Sequence, residues 1–299
     1  MKQINTLIKR NTKLFFKDKG TFFTSLITPI ILLVLYVTFL GNVYKDSFLA
    51  NMNEIPISDE IVNGFVGGQL FSSLLAVSCV TVAFCSNMIM VQDKISGAYA
   101  DFTISPVKKS KLGFAYFISA EITTLIVAVV AAGASFIYLA IVGWYLSFAD
   151  VALLLLDIFL VASFGTLLSS VVNFFLSTQG QVSAVGSIVS SMYGFICGAY
   201  MPLSQFGEGL QTILGFLPGT YATSLIRNHA LQGVFREMET LNFPTEAIKG
   251  LKDAFDCNLY FFGERVELWV MYLILTLSVL ALLGAYILIN VLSEKHKKK

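Results

Sequence analysis

Two carboxylate residues of this 299-residue sequence stand inside long apolar runs, where an ionised group is energetically costly. Glu121 lies in the run 113–143 and Asp157 in the run 151–176, each about two helical turns from the nearer end. Carboxylates at such depth often bind ions, carry protons or contact a substrate. The alternative is that each pairs with Ser, Thr or Asn side chains of a neighbouring helix. Both interpretations stand for Asp157, whereas we favour packing for Glu121.

The sequence lacks the motifs of the common nucleotide-binding and catalytic sites. It contains no GxxxxGK[ST] phosphate loop, no GxSxG and no HExxH. The two histidines, His229 and His296, lie in a polar segment and in the C-terminal tail, so a His-based active site within the apolar runs has no support. The four cysteines show neither CxxC nor Cys/His metal-ligand spacing. We therefore predict no catalytic residue, metal or cofactor on this chain.

A polar insert, residues 92–112, separates two apolar runs and carries the most informative pattern. It reads QDKISGAYADFTISPVKKSKL. Pro106 disfavours helical geometry at the residue before it, so a short helix is expected to end there. Ile95, Tyr99 and Phe102 are spaced by four and three residues and would share one face of that helix. The insert is either such a short cytoplasmic helix or an ordinary basic loop.

The composition is that of a membrane protein. Hydrophobic residues make up 56% of the chain and charged residues only 13%, against about 25% charged in soluble domains. Six apolar runs approach or exceed the length of about 20 residues that crosses a bilayer as a helix. They are 21–40, 64–91, 113–143, 151–176, 182–200 and 266–292. The first is long for a signal-peptide core, and no small-residue cleavage site follows it. We predict an all-α, polytopic membrane protein with about six transmembrane helices in residues 21–292.

The distribution of basic residues predicts the orientation. Residues 1–20 have the pattern of an amphipathic helix at the membrane surface, and residues 293–299 form a basic tail. These two segments and the insert 92–112 hold 14 of the 20 Lys and Arg residues. By the positive-inside rule all three are cytoplasmic, which predicts a cell-membrane protein with both termini in the cytoplasm. The net charge of +1 gives no indication of a nucleic-acid partner.

The fifth run, 182–200, is rich in Ser, Gly and Ala, which let helices approach closely or line a polar path. Ser187 and Ser190 are the candidates for such a path. Close packing at a homodimer interface is the other interpretation. The two are compatible if a translocation pathway lies between two copies of the chain.

The segment after the fifth run is too short to cross a membrane. Residues 201–222 are bracketed by Pro202 and Pro218 and are rich in glycine, which favours a re-entrant hairpin. Residues 223–265 are soluble in character and are predicted to form an outer loop.

Taken in chain order, these features resemble the permease subunit of type-2 ABC exporters. The residues that carry the resemblance are Asp93, Ser96-Gly97 and Ser105-Pro106 in the insert, then Pro202-Leu203-Ser204 and Pro218-Gly219-Thr220-Tyr221 after the fifth run. The resemblance covers nearly the whole chain, and its strength lies in the ordered combination.

The resemblance implies that residues 92–106 form a coupling helix seated in a groove on a separate cytoplasmic ABC ATPase subunit, which binds ATP and Mg. The implied coupling residues are Asp93, Lys94, Ile95, Gly97, Tyr99, Phe102, Ser105 and Pro106. The pathway or gate residues are Asp157, Ser187, Ser190, Pro202 and Pro218, with the hairpin 201–222 closing the outward end. The expected partners are this ATPase, a second copy of the chain or a homologous permease, and membrane lipid.

The expected function is therefore that of a transport subunit and not of an enzyme. It would export a small amphipathic drug or antimicrobial compound, as in multidrug resistance. An ion-coupled secondary transporter that uses Asp157 and Glu121 is the first alternative. The second is a membrane enzyme or immunity protein that acts at the outer face through residues 224–265.

Overall fold

The computed structural model describes residues 2–52, 56–104 and 108–296. Within these ranges the chain is almost entirely helical, with one short β-hairpin. In chain order the elements are α1 (Lys2–Lys17), α2 (Lys19–Leu35), α3 (Gly41–Asn51), α4 (Asp59–Ile95), α5 (Ala98–Ile104), α6 (Lys109–Val142), α7 (Phe148–Phe175), α8 (Gln179–Ile196), α9 (Glu208–Leu214), α10 (Pro218–Thr240), α11 (Thr245–Ala254), β1 (Leu259–Phe261), β2 (Glu264–Val266) and α12 (Leu268–His296). A π-helical turn, Tyr36–Leu40, joins α2 to α3, and a 3₁₀ turn, Leu203–Gln205, precedes α9.

Five segments of the described residues are long and apolar enough to cross a membrane. They are Lys19–Asn51, Asp59–Ile95, Lys109–Val142, Phe148–Phe175 and Leu268–Glu294. This confirms the prediction of an all-α, polytopic membrane protein. The first segment extends beyond the predicted run 21–40, because Tyr44 and Phe48 continue its buried face into α3.

The predicted fifth span, 182–200, overlaps helix α8, which begins at Gln179 and ends at Ile196. Its 18 residues are about 27 Å long, at the short end of the range for a transmembrane helix. Its Ser, Gly and Gln residues make it less apolar than the five segments above, and it is not one of them. It packs mainly on α4 and exposes most of its remaining surface.

Helix α4 is the central element of the bundle. Helices α2, α6, α7, α8 and α10 pack around it, and almost all of its side chains are buried. Glycine permits a close approach of α10, since a Cβ at Gly68 would meet Leu231 and the Ala230 carbonyl of α10. Because α4 runs without a break as far as Ile95, it fixes where the polar insert leaves the bundle.

Helix α10 is the main difference from the predicted architecture. The hairpin 201–222 and the outer loop 223–265 were expected to be separate, but α10 crosses their boundary and is largely buried against α4, α7 and α12. Its polar residues, including Arg227, Asn228 and His229, give the sequence the character of a solvated segment. In the structure they have buried hydrogen-bond partners, so the helix can pack inside the bundle.

After α10 the chain forms α11 and the antiparallel hairpin of β1 and β2. Leu259 pairs with Val266 and Phe261 with Glu264, so the hairpin is closed by a two-residue turn. The hairpin lies directly before α12, the last segment long enough to span a membrane.

Candidate functional site

At the end of α4, the Asp93 carboxylate joins three helices. Its two oxygens accept hydrogen bonds from the guanidinium of Arg10 on α1 at 2.5 and 2.8 Å. The hydroxyl of Tyr116 on α6 donates a third at 2.6 Å. The Asp93 side chain is only 7% exposed and that of Arg10 is 32% exposed, so the carboxylate of this charge-assisted pair is shielded from water. Asp93 was expected to contact an ATPase, but it is directed into its own chain.

Arg10 was not among the predicted site residues. It belongs to a basic segment, and the only signal is that it is the one arginine among lysines in residues 1–20. A bidentate bond to a carboxylate needs the guanidinium fork, which lysine lacks. The hydrogen bonds to Asp93 raise the pKa of Arg10. Its guanidinium also lies 5.1 Å from the ring centroid of Phe102, so Arg10 ties α1 to both α4 and α5.

Lys94, the next residue of α4, holds the C-terminal end of α7. Its ammonium group donates to the carbonyl oxygens of Asn173, Phe174 and Leu176 at 3.3, 2.6 and 2.9 Å. The last carbonyl groups of a helix lack regular intrahelical partners, and the helix dipole favours a cation beside them. Lys94 therefore also makes its contacts within the chain.

The short helix α5 turns its aromatic rings toward the bundle. Tyr99 and Phe102 are half-buried and pack in a cluster that includes Leu7 of α1. By contrast, Ile95 is 45% exposed and Ile104 is 84% exposed. Ile95, Tyr99 and Phe102 therefore do not share one binding face, because the two rings pack against the chain and Ile95 faces solvent.

The bend between α4 and α5 falls at Gly97. Its φ of 85° lies in the left-handed region, which glycine adopts without steric cost. Asp101 on α5 is exposed. The predicted helix end, Ser105 and Pro106, lies outside the described residues, and α5 is described as far as Ile104.

Away from the insert, Asp157 of α7 is held by side chains of two other helices. The Nδ1 atom of His229 on α10 lies 2.6 Å from one carboxylate oxygen, and the hydroxyl of Tyr272 on α12 donates to the other at 2.5 Å. The Asp157 side chain has no exposed surface. The expectation that neither histidine would lie among the apolar runs was wrong for His229, because the burial of α10 brings it to Asp157.

Glu121 of α6 has a simpler environment. The Ser163 hydroxyl of α7 donates to one carboxylate oxygen at 2.8 Å, and the other oxygen has no hydrogen-bond partner among the described residues. Within the same part of the chain, no group of three or more His, Cys, Asp or Glu residues could hold a metal ion. Asp157 links three helices, whereas Glu121 links two.

A buried ion pair fixes α10 to the segments around it. Arg227 and Asp256 lie 3.4 Å apart, with side chains 1% and 5% exposed. Arg227 also donates to the carbonyl oxygens of Phe255 and Gly198 at 2.9 and 2.8 Å. Asp256 accepts a hydrogen bond from the backbone N–H of Leu203 at 2.5 Å. The pair therefore joins α10 to the segments after α8 and after α11, and neither residue was predicted as a site residue.

Ser187 and Ser190 of α8 line an open groove between α2 and α8, with α4 as its floor. The groove has a volume of about 500 Å³. Its lining combines hydroxyl groups, such as that of Thr28, with apolar side chains such as Phe84 and Met88. The serines of the predicted pathway therefore share one groove.

The other predicted pathway or gate residues lie elsewhere. Asp157 faces α10 and α12, Pro202 precedes the 3₁₀ turn, and Pro218 is the first residue of α10, where the missing N–H is not needed. None of the three lines the groove. The structure brings the two serines together but does not join them to the prolines.

Comparison with known proteins identifies the family. No match to this chain is found among curated proteins. The sequence model of the ABC-2 type transporter family matches residues 2–230, which is most of the chain and extends from α1 through the insert into α10. On this match and the helical fold described above, the chain is a multi-pass membrane protein of the ABC-2 type transporter family, a permease component of an ABC transporter.

Proposed function

We propose that this chain is the membrane-spanning subunit of an ATP-driven exporter, and that a separate cytoplasmic ABC ATPase binds at α5. The observation that carries the proposal is the exposure of Ile95, at the end of α4, and of Ile104, at the end of α5, on the two sides of the bend at Gly97. Exposed apolar side chains suit a pocket on a partner protein. In this proposal they replace Tyr99 and Phe102 as the anchors.

The contacts of Asp93 and Lys94 support a transmitting role for the end of α4. Asp93 joins α4 to α1 and α6, and Lys94 joins it to α7. Because charge-assisted hydrogen bonds are short and strong, a displacement of α5 by the ATPase would move these helices together. Asp93 and Lys94 then act within the chain and do not touch the ATPase.

The groove supports a pathway shared by two permease copies, either identical or homologous. Its rims on α2 and α8 expose apolar side chains, including Ile31, Ile188 and Met192, which a second copy would cover. A volume of about 500 Å³ is in the range of small-molecule sites. The mixed lining suits a small amphipathic drug or antimicrobial compound, and the export of such a compound would confer multidrug resistance. ATP and Mg would bind the ATPase, since this chain has no phosphate loop.

The double substitution Ile95→Ala and Ile104→Ala is expected to weaken ATPase binding by at least about tenfold, or 1.4 kcal/mol. Complete burial of one Ile side chain contributes about 1.5–3 kcal/mol. The measurement is co-purification of the ATPase, followed by substrate-stimulated ATP hydrolysis in lipid vesicles. Ile137→Ala with Ile141→Ala is the matched control, because these side chains of α6 are 67% and 79% exposed but lie far along the helix from the insert.

Binding as tight as that of the unaltered protein would remove α5 from the ATPase interface. The double substitution Tyr99→Ala and Phe102→Ala tests whether these two rings are the anchors for the ATPase. It should chiefly weaken the packing of α5 against α1. If transport continues without an ATPase and depends on a proton gradient, the chain is an ion-coupled carrier instead.

Labelling of single cysteines tests the proposed orientation. A cysteine in place of Glu246, which is exposed on α11, should react with a membrane-impermeant maleimide in intact cells. A cysteine at Lys298, outside the described residues, should react only after permeabilisation. The reason is the concentration of Lys and Arg in the segments assigned to the cytoplasm. The reverse pattern would contradict both the orientation and the ATPase site.

A further inference from the structure

The turn of the β-hairpin has an unusual residue. Phe262 and Gly263 have φ angles of 50° and 83°, as a two-residue type I′ turn requires. Such turns strongly prefer Asn or Asp at the first position, because a larger side chain is strained there. Among the described residues, the other non-glycine residues with positive φ are Asn242 and Asp256, which tolerate it well. Something must offset the conformational cost of Phe262.

Contacts within the chain offset little of that cost. The Phe262 side chain is 74% exposed. Its ring centroid lies 4.6 Å from that of Phe261 and 6.3 Å from that of Phe216, which is itself 65% exposed in the loop between α9 and α10. Ile213 at the end of α9 is 63% exposed. The rings of Phe216, Phe261 and Phe262 contact one another. We name these three residues, together with the nearby exposed Ile213, the aromatic tip.

The position of the aromatic tip relative to the last span indicates what covers it. Phe262 precedes the start of α12 by six residues, so it lies within about 20 Å of the point where that span begins. Trp269, in the first turn of α12, is 67% exposed, as is typical of aromatic residues at a membrane–water interface. Arg265 and Glu267, between the turn and the span, are half-exposed, at 50% and 58%.

We propose that the aromatic tip inserts into the lipid leaflet at which α12 begins. The rings would lie among the acyl chains near the interface, and the charged side chains of β2 would remain at the level of the headgroups. Burial of the rings in lipid would offset the strain at Phe262. The inserted tip would then anchor the loop between α9 and α10, and through it the buried helix α10, to the membrane surface.

A lipid environment explains the charges better than a protein partner does. The cores of protein–protein interfaces are depleted of charged residues, but Glu264 and Arg265 directly follow the turn and are exposed. The faces that we propose for the second permease copy are on α2 and α8. A second copy at the tip is therefore an outcome that the experiment must separate from lipid.

Electron paramagnetic resonance of spin-labelled protein tests the proposal. Phe262→Cys and Phe216→Cys would be labelled separately in the full chain, with the four native cysteines replaced, in phosphatidylcholine and phosphatidylglycerol vesicles. At both positions, collisions with oxygen should exceed collisions with a water-soluble nickel complex several-fold. A label at Glu246, exposed on α11, is the control and should show the opposite preference. Equal access of nickel at the tip and at the control would overturn the proposal. So would exclusion of both reagents with spin–spin broadening, which would indicate a second copy.

The variant Phe262→Asn separates insertion from folding. Asn-Gly is the preferred sequence for a type I′ turn, so the hairpin should be retained and thermal stability in detergent should not fall. In vesicles, a label at position 216 should shift toward access by nickel when Phe262 is replaced. No shift would show that Phe262 does not hold the tip in lipid, and the proposal would fail.

Discussion

The substitution Arg227→Met is expected to lower the free energy of unfolding by about 3–5 kcal/mol, because it leaves Asp256 buried without its cation. Both side chains are almost fully buried, and Arg227 also satisfies the carbonyl groups of Phe255 and Gly198. Methionine fills a similar volume but donates no hydrogen bond. The loss should appear as a lower midpoint of thermal unfolding of the purified protein in detergent.

Arg236→Met is the matched control for this prediction. Arg236 also lies on α10 and also pairs with an aspartate, Asp150, at 2.6 Å, but its side chain is 47% exposed. Because water screens the exposed pair, the control should lose no more than about 1 kcal/mol. Arg227→Lys keeps the charge but not the forked arrangement of donors. Its loss in the free energy of unfolding should lie between those of Arg227→Met and Arg236→Met. Equal losses for Arg227→Met and Arg236→Met would show that the Arg227–Asp256 pair does not fix α10.

The second large effect is expected for Asp157→Asn, which should reduce transport about 5- to 30-fold while the ATPase still co-purifies. The substitution keeps the shape of the side chain but replaces an anionic acceptor by a neutral one. Hydrogen bonds to charged groups contribute about 1.5–3 kcal/mol and neutral ones about 0.5–1.5. A loss of one or two kcal/mol changes a conformational equilibrium by a factor of about 5–30. Because Asp157 holds His229 and Tyr272, the position of α10 against α7 and α12 would be less well defined.

Two further variants determine whether the Asp157 effect is specific. Tyr272→Phe removes one hydrogen bond to Asp157 and should reduce transport less than Asp157→Asn. Glu121→Gln is the control, because Glu121 is another buried carboxylate but has one donor, Ser163, and links only α6 and α7. It should leave transport nearly unchanged. Unaltered transport by Asp157→Asn would show that Asp157 serves packing only.

Helix α7 connects the proposed ATPase site with the region around Asp157 and α10. Its C-terminal end is held by Lys94, next to the proposed ATPase site, and Asp157 toward its other end is held by α10 and α12. Helix α4 also packs against α7 and α10. Helices α4 and α7 therefore connect the insert with α10.

The sequence by itself determined the class of the protein and the order of its segments. The apolar runs are local features, and their length alone indicates helices that can cross a bilayer. The short helix within the insert was also expected from local chemistry, because a proline disfavours helical geometry at the residue before it, whereas the bend at Gly97 was found only in the structure. The order of these features was enough to show the resemblance that the family match then confirmed.

Only the tertiary structure decided which polar residues are buried and what they bind. Helix α10 resembles a solvated segment because its apolar residues are interrupted by Arg227 and His229, and nothing nearby in sequence shows that Asp256 and Asp157 neutralise the cost of burying them. The spacing of Tyr99 and Phe102 placed both on one face of a helix, but it could not show that α1 covers that face. Arg10 and Asp93 are 83 residues apart, and their pairing depends on how α1 packs beside α4. Such contacts join groups that are remote in sequence, so they are fixed by packing and not by any local pattern.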